Sequence, residues 1–338
     1  RRRMHRQVAS AIERLRPHDL ESLAFHALEG GDLTKGLEFS LQAAERAQRM
    51  FASEEALLHL ERAREVAESL DHSEQLAFID ETIGDVELWR DIPKSIDAFE
   101  RALNLATVPE KRATLKSKIG SAYVMVGDER GLVYLDAAEK ELDPATQGNE
   151  LARTISAIGR LYHHHGQLRQ ALAYLERARQ IAEPLDDPLT LVFIYSHLAG
   201  SHQHRAELTK SIEWARRAIT LGKRRDYPLA IATGYEYLAE DSSASGDWQD
   251  ALGYAEQDRR IGEKTGYAQR TAWAEYCDAM TYYGLGNLSA ARDAGQNAFA
   301  MADSMGDARL AALATAELSL AQTDMGPVSY THLRAHET

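Results

Sequence analysis

The apolar positions of this chain recur with the spacing of amphipathic helices. In the segment GQLRQALAYLERA, residues 166–178, they lie three, four and seven residues apart, so they share one helical face. Glycine, proline and charged residues interrupt such segments at short intervals, and long runs of β-branched residues are missing. The pattern predicts an all-α protein built from short helices, with no sheet.

A repeat of constant length occupies the C-terminal half of the chain. Four similar segments start at positions 166, 206, 246 and 286: GQLRQALAYLERA, AELTKSIEWARRA, GDWQDALGYAEQD and GNLSAARDAGQNA. A fixed period of about 40 residues indicates a solenoid of stacked helix hairpins. Towards the N-terminus the spacing is less regular, and the helix around Leu41 is predicted to belong to two hairpins at once. We count six or seven hairpins.

Small side chains occupy three columns of this repeat. Residues seven apart in a helix share a face, and small ones there let two helices approach at the short end of the usual range of about 8 to 10 Å. The columns are Gly159, Ala199, Ala239 and Ala279; Ala171, Ser211, Ala251 and Ala291; and Ala178, Ala218 and Ala298, with Asp258 as the exception. We predict that each repeat is an antiparallel hairpin that packs at these positions, with a left-handed glycine at its turn.

Composition and charge argue against several classes of function. The 338 residues are 44% hydrophobic and carry a formal net charge of -13, which argues against a surface that follows nucleic-acid phosphates. Cys277 is the single cysteine, so an internal disulfide is excluded and a reducing compartment, the cytoplasm, is expected. No apolar run approaches the roughly 20 residues that a membrane helix needs. We expect neither a membrane nor a nucleic-acid partner.

Three consecutive histidines, His163, His164 and His165, suggest metal chemistry at first sight. Adjacent helical residues point about 100° apart, so three in a row cannot converge on one ion. The repeat places them in the last turn of a helix, where histidine interacts favourably with the negative helix end. A weak site joining His164 to His204, its equivalent one repeat later, is the alternative. The sequence predicts no metal and no cofactor.

Other chemically suggestive residues have simpler structural interpretations. GEKTG, residues 262–266, lacks the strand and the glycine of a phosphate loop and is predicted to be a loop between repeats. Glu236 and Glu240 lie one turn apart beside Asp241; they could bind a cation or act as an acid/base pair, but a solvated groove wall is the favoured interpretation. Cys277 is predicted to be a buried structural thiol. Since no nucleophile–base pair remains, we predict that this chain is not an enzyme.

The small-residue columns, the Gly-Asp turns and the ALxYxxRA pattern of the second helix resemble tetratricopeptide repeats (TPRs), whose usual period is about 34 residues. The resemblance implies a right-handed α-α superhelix. The longer period here, with RRRMHRQVASAIERL (1–15) and LESLAFHALEGGDLTKGLEFSLQAAERA (20–47), is similar to the region where the ATPase module of large bacterial STAND-type signalling proteins passes into helical repeats. GDERGLVYL, ELDPATQGNELA and YLAEDS most resemble members linked to class III nucleotide cyclase domains.

This resemblance implies three parts. Residues 1–19 would end the preceding ATPase-linked module, and residues 20–326 would form the repeat domain. Residues 327–338 abandon the alanine-rich composition and look like a translated sequencing adapter, with a natural disordered tail as the alternative. The implied function is a non-catalytic scaffold or sensor that binds a protein or peptide and regulates a cytoplasmic signalling ATPase or nucleotide cyclase. A STAND-type transcription activator that binds an inducer or peptide is the alternative parent.

In TPR proteins the first helix of each hairpin lines the concave surface, so the resemblance implies a groove. The residues placed there are Arg153, Ser156, Arg160 and His163; Phe193, Gln203 and His204; Glu236 and Glu240; and Trp273, Tyr276 and Tyr283. One end is basic, the middle acidic and the far end aromatic, which suits an extended peptide more than a small molecule. Ser156 and Arg160 do not match the Lys/Asn carboxylate clamp of chaperone-binding members. The alternative is an exposed face that binds nothing.

Overall fold

The computed structural model describes residues 1–50, 52–88 and 90–326, and these residues form helices and no β-strand. The helices are α1 (Arg2–Leu15), α2 (Leu20–Gly30), α3 (Leu33–Arg49), α4 (Ser53–Ser69), α5 (Ser73–Glu87), α6 (Ile92–Leu105), α7 (Pro109–Met125), α8 (Arg130–Glu141), α9 (Gly148–His164), α10 (Leu168–Ala182), α11 (Pro188–Gln203), α12 (Leu208–Arg224), α13 (Pro228–Ser245), α14 (Trp248–Thr265), α15 (Ala268–Gly284), α16 (Leu288–Met305) and α17 (Ala308–Asp324). A short 3-10 helix, Glu183–Leu185, follows α10. The expected all-α class is confirmed, while the predicted tail, 327–338, lies outside the described residues.

The chain divides into two compact units, Arg1–Leu161 and the residues from Tyr162 onward. In the first unit α2 packs on α3, α5 on α6 and α7 on α8, and in the second α11 packs on α12, α13 on α14 and α15 on α16. Because only short turns join these partners, each of these pairs is an antiparallel hairpin. Helix α3 packs on both α2 and α4, as expected for the helix around Leu41.

Local sequence signals explain where many helices begin. The side chain of Asp32 accepts a hydrogen bond from the Lys35 amide at 3.2 Å, and that of Asp91 accepts one from the Lys94 amide at 3.1 Å. Asn287 caps α16 in the same way. Proline occupies the first turn of α6, α7, α11 and α13, where its missing amide hydrogen has no helical partner to lose. These residues satisfy or avoid the unpaired amides at the helix starts.

The three small-residue columns lie in the interior, as the repeat predicts. Every member is buried, and Ala171, Ala251 and Ala239 are 0% exposed. Longer side chains there would push the paired helices apart, since protein interiors are close-packed. Asp258 is also 0% exposed, so a carboxyl group occupies a buried position that is alanine in the other three repeats.

The turns of the second unit follow an interval half as long as the sequence repeat. Residues with positive φ stand at positions 166, 186, 206, 226, 246, 266, 286, 306 and 326, each 20 residues after the one before. Six of them are glycine, which adopts this conformation without steric cost, whereas Ala206 adopts it at φ 57° despite its Cβ. In the first unit the positive-φ residues Gly31, Asp71 and Gly127 share no such interval.

Both units bury apolar side chains between their helices. In the first, Phe99 and Ile119 are fully buried in a cluster formed by α6 and α7. In the second, Trp273, Tyr276 and Cys277 pack with alanine and leucine side chains of α13 to α17. Cys277 is 1% exposed, which confirms a buried structural thiol. None of the helices in the described part of the chain has the length and apolar content that crossing a bilayer requires.

Candidate functional site

The residues predicted to line a groove are divided between the two units. Arg153, Ser156 and Arg160 belong to α9 in the first unit, where Arg153 is exposed and Ser156 is buried. Arg160 donates a hydrogen bond of 3.4 Å to the backbone carbonyl of Ser121. The other nine residues lie in the second unit: His163, Phe193, Gln203, His204, Glu236, Glu240, Trp273, Tyr276 and Tyr283.

The residues of the second unit differ in exposure. Glu236, Trp273 and Tyr276 are buried at 6%, 5% and 7% of their full exposure. The side chains of Phe193, Gln203, Glu240 and Tyr283 are partly exposed, and His204 is exposed. A partner could therefore reach the second set directly, while the first set lies beneath it and determines its electrostatic surroundings.

Six polar side chains on α11, α13, α14 and α15 form what we call the polar cluster: Gln203, Glu236, Glu240, Asp241, Asp258 and Arg270. Four of the six carry carboxyl groups, and one carries a positive charge. Glu236, Asp241, Asp258 and Arg270 are buried. Burial of a charge is costly unless it is paired, so the excess of carboxyl groups over cations decides the properties of the cluster.

Arg270 and Glu236 form the paired part of the polar cluster. The Arg270 Nη1 donates to Glu236 Oε2 at 2.5 Å, and the side chains are 7% and 8% exposed. Burial opposes the charge of Arg270, but the carboxylates of Glu236 and Asp258 outweigh it and keep the pKa of this guanidinium above its usual range. The pair is a buried salt bridge between α13 and α15.

Asp258 is the unpaired part. Its Oδ2 is 4.0 Å from Arg270 Nη1, and neither of its side-chain oxygens has a hydrogen-bond partner within the described residues. Because burial disfavours the charged form and Arg270 is already shared with Glu236, the pKa of Asp258 is raised to about 8. This carboxyl group is therefore largely protonated at neutral pH.

Glu240 and Asp241 also titrate near neutral pH. Burial, followed by the charge of Glu236, raises the pKa of Glu240 to about 8. Burial raises the pKa of Asp241 to about 6, while Ser211 and Gln203 act in the opposite direction. The expected solvated groove wall is wrong for Glu236, which is buried, and its neighbour Asp241 is 0% exposed, whereas Glu240 is partly exposed. The side chains of Glu236 and Asp241 lie in the packed interior of the unit, where water cannot stabilise their charges.

Aromatic rings lie next to the polar cluster on α15. Trp273 and Tyr276 contact each other edge to face, with centroids 5.6 Å apart. The guanidinium carbon of Arg309, on α17, lies 5.4 Å from the centre of the Trp273 ring, within cation–π range. The Tyr283 hydroxyl donates to Asp324 at 2.6 Å. The aromatic part of the predicted groove is therefore packed against neighbouring side chains of its own unit.

The histidines occupy the helix end predicted for them. Helix α9 ends at His164, which confirms the last-turn assignment for His163 and His164, whereas His165 lies in the turn that follows. It is His163, not His164, whose ring lies against that of His204, at 4.6 Å between centroids. The Nδ1 of His163 lies 3.1 Å from Ser201 Oγ, and that of His204 donates to the Gly200 carbonyl at 2.9 Å. Within the described residues, these histidines belong to no group of three side chains able to hold a metal.

Sequence reasoning missed two central members of the polar cluster, Asp258 and Arg270. Asp258 did leave a signal, because it is the exception in a column of alanines. Arg270 left none, because it stands in what the sequence marks as a charged loop between repeats, whereas it lies in the first turn of α15.

Burial also raises the pKa of the Cys277 thiol, so this group stays protonated and is a poor nucleophile.

Comparison with known proteins finds similarity at the level of structure alone. No protein-family model matches the chain, and no curated protein matches it. Its structure is similar to a Signal Transduction ATPase with Numerous Domains (STAND) protein with a tetratricopeptide repeat sensor from Pyrococcus horikoshii, with a TM-score of 0.56 and 15% identity over 96% of this chain and 50% of that one. The chain thus spans half the length of that protein.

In two further matches the aligned region covers a larger share of the other protein's chain. A Rap protein complexed with competence and sporulation factor matches with a TM-score of 0.57 and 11% identity over 86% of this chain and 98% of that one. Aspartyl phosphate phosphatase F from Bacillus subtilis matches with a TM-score of 0.52 and 12% identity over 96% and 88% of the two chains. At these identities the likeness shows the fold, and the protein is an all-α, TPR-like solenoid of helix hairpins.

Proposed function

We propose that this chain is a non-catalytic protein-interaction scaffold, and that its second unit binds an extended peptide segment at the partly exposed side chains above the polar cluster. The observation that carries the proposal is the excess of carboxyl groups: four of them lie in the polar cluster, and its one cation, Arg270, pairs with Glu236. An incoming lysine, arginine or row of amide donors would offset this excess and stabilise the ionised carboxylates.

Position favours a partner that contacts several helices at once. Gln203, Glu240 and His204 are accessible and lie at the C-terminal ends of α11 and α13. Phe193 adds an apolar contact on α11. Polar contacts spread over successive hairpins suit a peptide, because a small ligand needs contacts that converge. The Rap protein among the similar structures is complexed with a factor, which is consistent with this mode.

We further propose that the chain is the repeat region of a larger cytoplasmic STAND-type signalling protein, most like those linked to nucleotide cyclases. The sequence at residues 1–47 supports this parent, and so does the similarity to half of a STAND protein with a repeat sensor. A transcription activator of the same type is the second candidate. The coding sequence next to these repeats distinguishes them: a class III cyclase domain supports the first, and a helix-turn-helix domain supports the second.

Peptide selection tests the binding proposal. A phage library of random 12-residue peptides is panned on the immobilised chain, and selected sequences are synthesised with a fluorescent label for anisotropy titrations. We expect enrichment of lysine and arginine and, in titrations above pH 8 where Glu240 is ionised, at least about tenfold weaker binding to the Glu240→Gln variant, which removes this charge without changing the side-chain size.

Glu213→Gln is the matched control. Glu213 is exposed on α12, a second helix, and pairs with Arg217 one turn away. This variant should bind the selected peptides as the unchanged chain does. The proposal is rejected if panning enriches no peptide, or if Glu240→Gln and Glu213→Gln affect binding equally.

A further inference from the structure

A second cluster of chemically active side chains lies in the first unit, far along the sequence from the polar cluster. Glu55 and His59 are one turn apart on α4, and Glu21 lies in the first turn of α2. One ligand atom from each of the three lies within 4.8 Å of the others, and His59 Nε2 is 3.9 Å from Glu55 Oε1. Imidazole nitrogen and carboxylate oxygen are donors that zinc accepts.

The burial and the hydrogen bonding of His59 distinguish this group from an ordinary surface cluster. His59 is 3% exposed, and neither of its ring nitrogens has a hydrogen-bond partner within the described residues. A buried polar group without a partner costs free energy, so native structures rarely keep one without a role. Since its Nε2 is turned towards the Glu55 carboxylate, a cation between them would satisfy the imidazole.

Charged groups of both signs surround His59. The two glutamates bring two negative charges, Arg46 and Arg62 bring two positive ones, and the glutamate side chains are 46% and 54% exposed. Arg46 donates to Glu21 Oε1 at 2.9 Å and to the His18 carbonyl at 2.8 Å, which leaves the second oxygen of Glu21 available. Ligands around zinc lie about 2.0 to 2.2 Å from the metal, so the glutamates need to close in by only about 1 Å.

We propose that Glu21, Glu55 and His59 form a zinc site, with water completing the coordination. The site joins α2 to α4, two helices that both pack on α3. Metal binding would therefore fix the first hairpin of the unit to the helix that follows it. None of these residues was singled out in the sequence, because Glu21 is distant along the chain from Glu55 and His59 and only the fold brings it to them.

Calorimetric titration of the metal-free full chain with zinc chloride tests the site. We expect one zinc ion per chain with a Kd on the order of 1 µM or below, and at least about tenfold weaker binding for Glu55→Gln and for His59→Asn. Glu55 is exposed, so its variant should keep the fold, which circular dichroism verifies. Cobalt(II) provides a second readout, since the visible absorption of a nitrogen-and-oxygen site should disappear in Glu55→Gln.

His164→Ala is the matched control, because it removes a histidine from the run of three without touching the proposed ligands. It should leave the zinc affinity and the cobalt spectrum unchanged. The proposal is overturned if the chain has no zinc site of this affinity, if Glu55→Gln binds zinc like the unchanged chain, or if His164→Ala abolishes binding.

Discussion

Two fully buried aspartates, one in each unit, have opposite surroundings. In the first unit Asp80 is 0% exposed, and its Oδ1 accepts hydrogen bonds from Arg64 at 3.0 Å and Arg101 at 2.9 Å. In the second unit Asp258 is equally buried, but its nearest cation, Arg270, is 4.0 Å away and is paired with another carboxylate.

The comparison distinguishes a carboxyl group that contacts two arginines, Asp80, from one that has no cation of its own, Asp258. Two guanidinium groups contact the Asp80 carboxylate and so connect three helices. Asp258 lacks such compensation, and burial keeps it protonated up to about pH 8. The backbones of the two units also differ. The second unit is the regular one, with a left-handed residue every 20 positions. The regular hairpins of the second unit therefore accommodate Asp258, a buried carboxyl group without a paired cation, in one of the small-residue columns.

The largest effect is expected from Asp80→Asn in the first unit. The variant keeps the size of the side chain but removes the charge that two arginines contact, which should lower the free energy of unfolding by about 2 to 3 kcal/mol. Urea unfolding of the full chain, followed by circular dichroism, measures the change. A variant as stable as the unchanged chain would show that Asp80 is not a structural charge.

Overpacking the regular unit should have the next largest effect. Ala251→Leu adds three carbon atoms at a position that is 0% exposed, so we expect destabilisation of about 1 to 3 kcal/mol. His164→Ala changes a partly exposed helix end and should be nearly neutral. Thermal melts of the two variants compare them, and the reverse order would contradict the role of the small-residue columns.

Asp258→Asn should change the pH dependence of stability. Asp258 has a pKa of about 8 in the folded chain against about 3.8 when unfolded, so the unfolded chain loses this proton first as pH rises. The free energy of unfolding should therefore fall between about pH 4 and pH 8, at no more than about 1.4 kcal/mol per pH unit. Below about pH 4 the carboxyl is protonated in both states, and its contribution no longer changes.

Asp258→Asn removes this titration, so the stability of the variant should not fall with this slope between pH 4 and pH 8, and the two proteins should be similar near pH 4. Unfolding midpoints in urea at several pH values measure the difference. Parallel stability curves for the two proteins would show that folding does not raise the pKa of Asp258.

The smallest effect concerns the regular turns. Ala206→Gly places glycine at a left-handed position where the other hairpin turns of the second unit, such as Gly246, already have it. Relief of the Cβ contact should outweigh the entropy that glycine loses on folding, and we expect a gain of about 0.5 to 1 kcal/mol. Gly246→Ala is the reciprocal control and should destabilise. Differential scanning calorimetry measures both, and a loss of stability in Ala206→Gly would contradict the argument.

The candidate site could be predicted only in part. Glu236 and Glu240 were recognised because residues four apart share a helix face, and that rule is local. The burial of Glu236 and its pairing with Arg270 could not be predicted, because the two residues lie on separate helices whose contact depends on how neighbouring hairpins pack. Asp258 was recognised as the exception in a column of alanines. Its lack of a paired cation could not be predicted, because the side chains around it come from three different helices.

The sequence by itself determined the all-α class, the hairpin repeat and the buried alanine columns. These properties depend on periodicity and on residue size, which act between near neighbours and are written directly in the order of residues. Only the tertiary structure decided which charges are compensated, from Asp80 with its two arginines to Asp258 with none of its own. The reason is physical: the energy of a buried charge depends on distance and on exclusion of water, and both are set when helices from distant parts of a unit pack together.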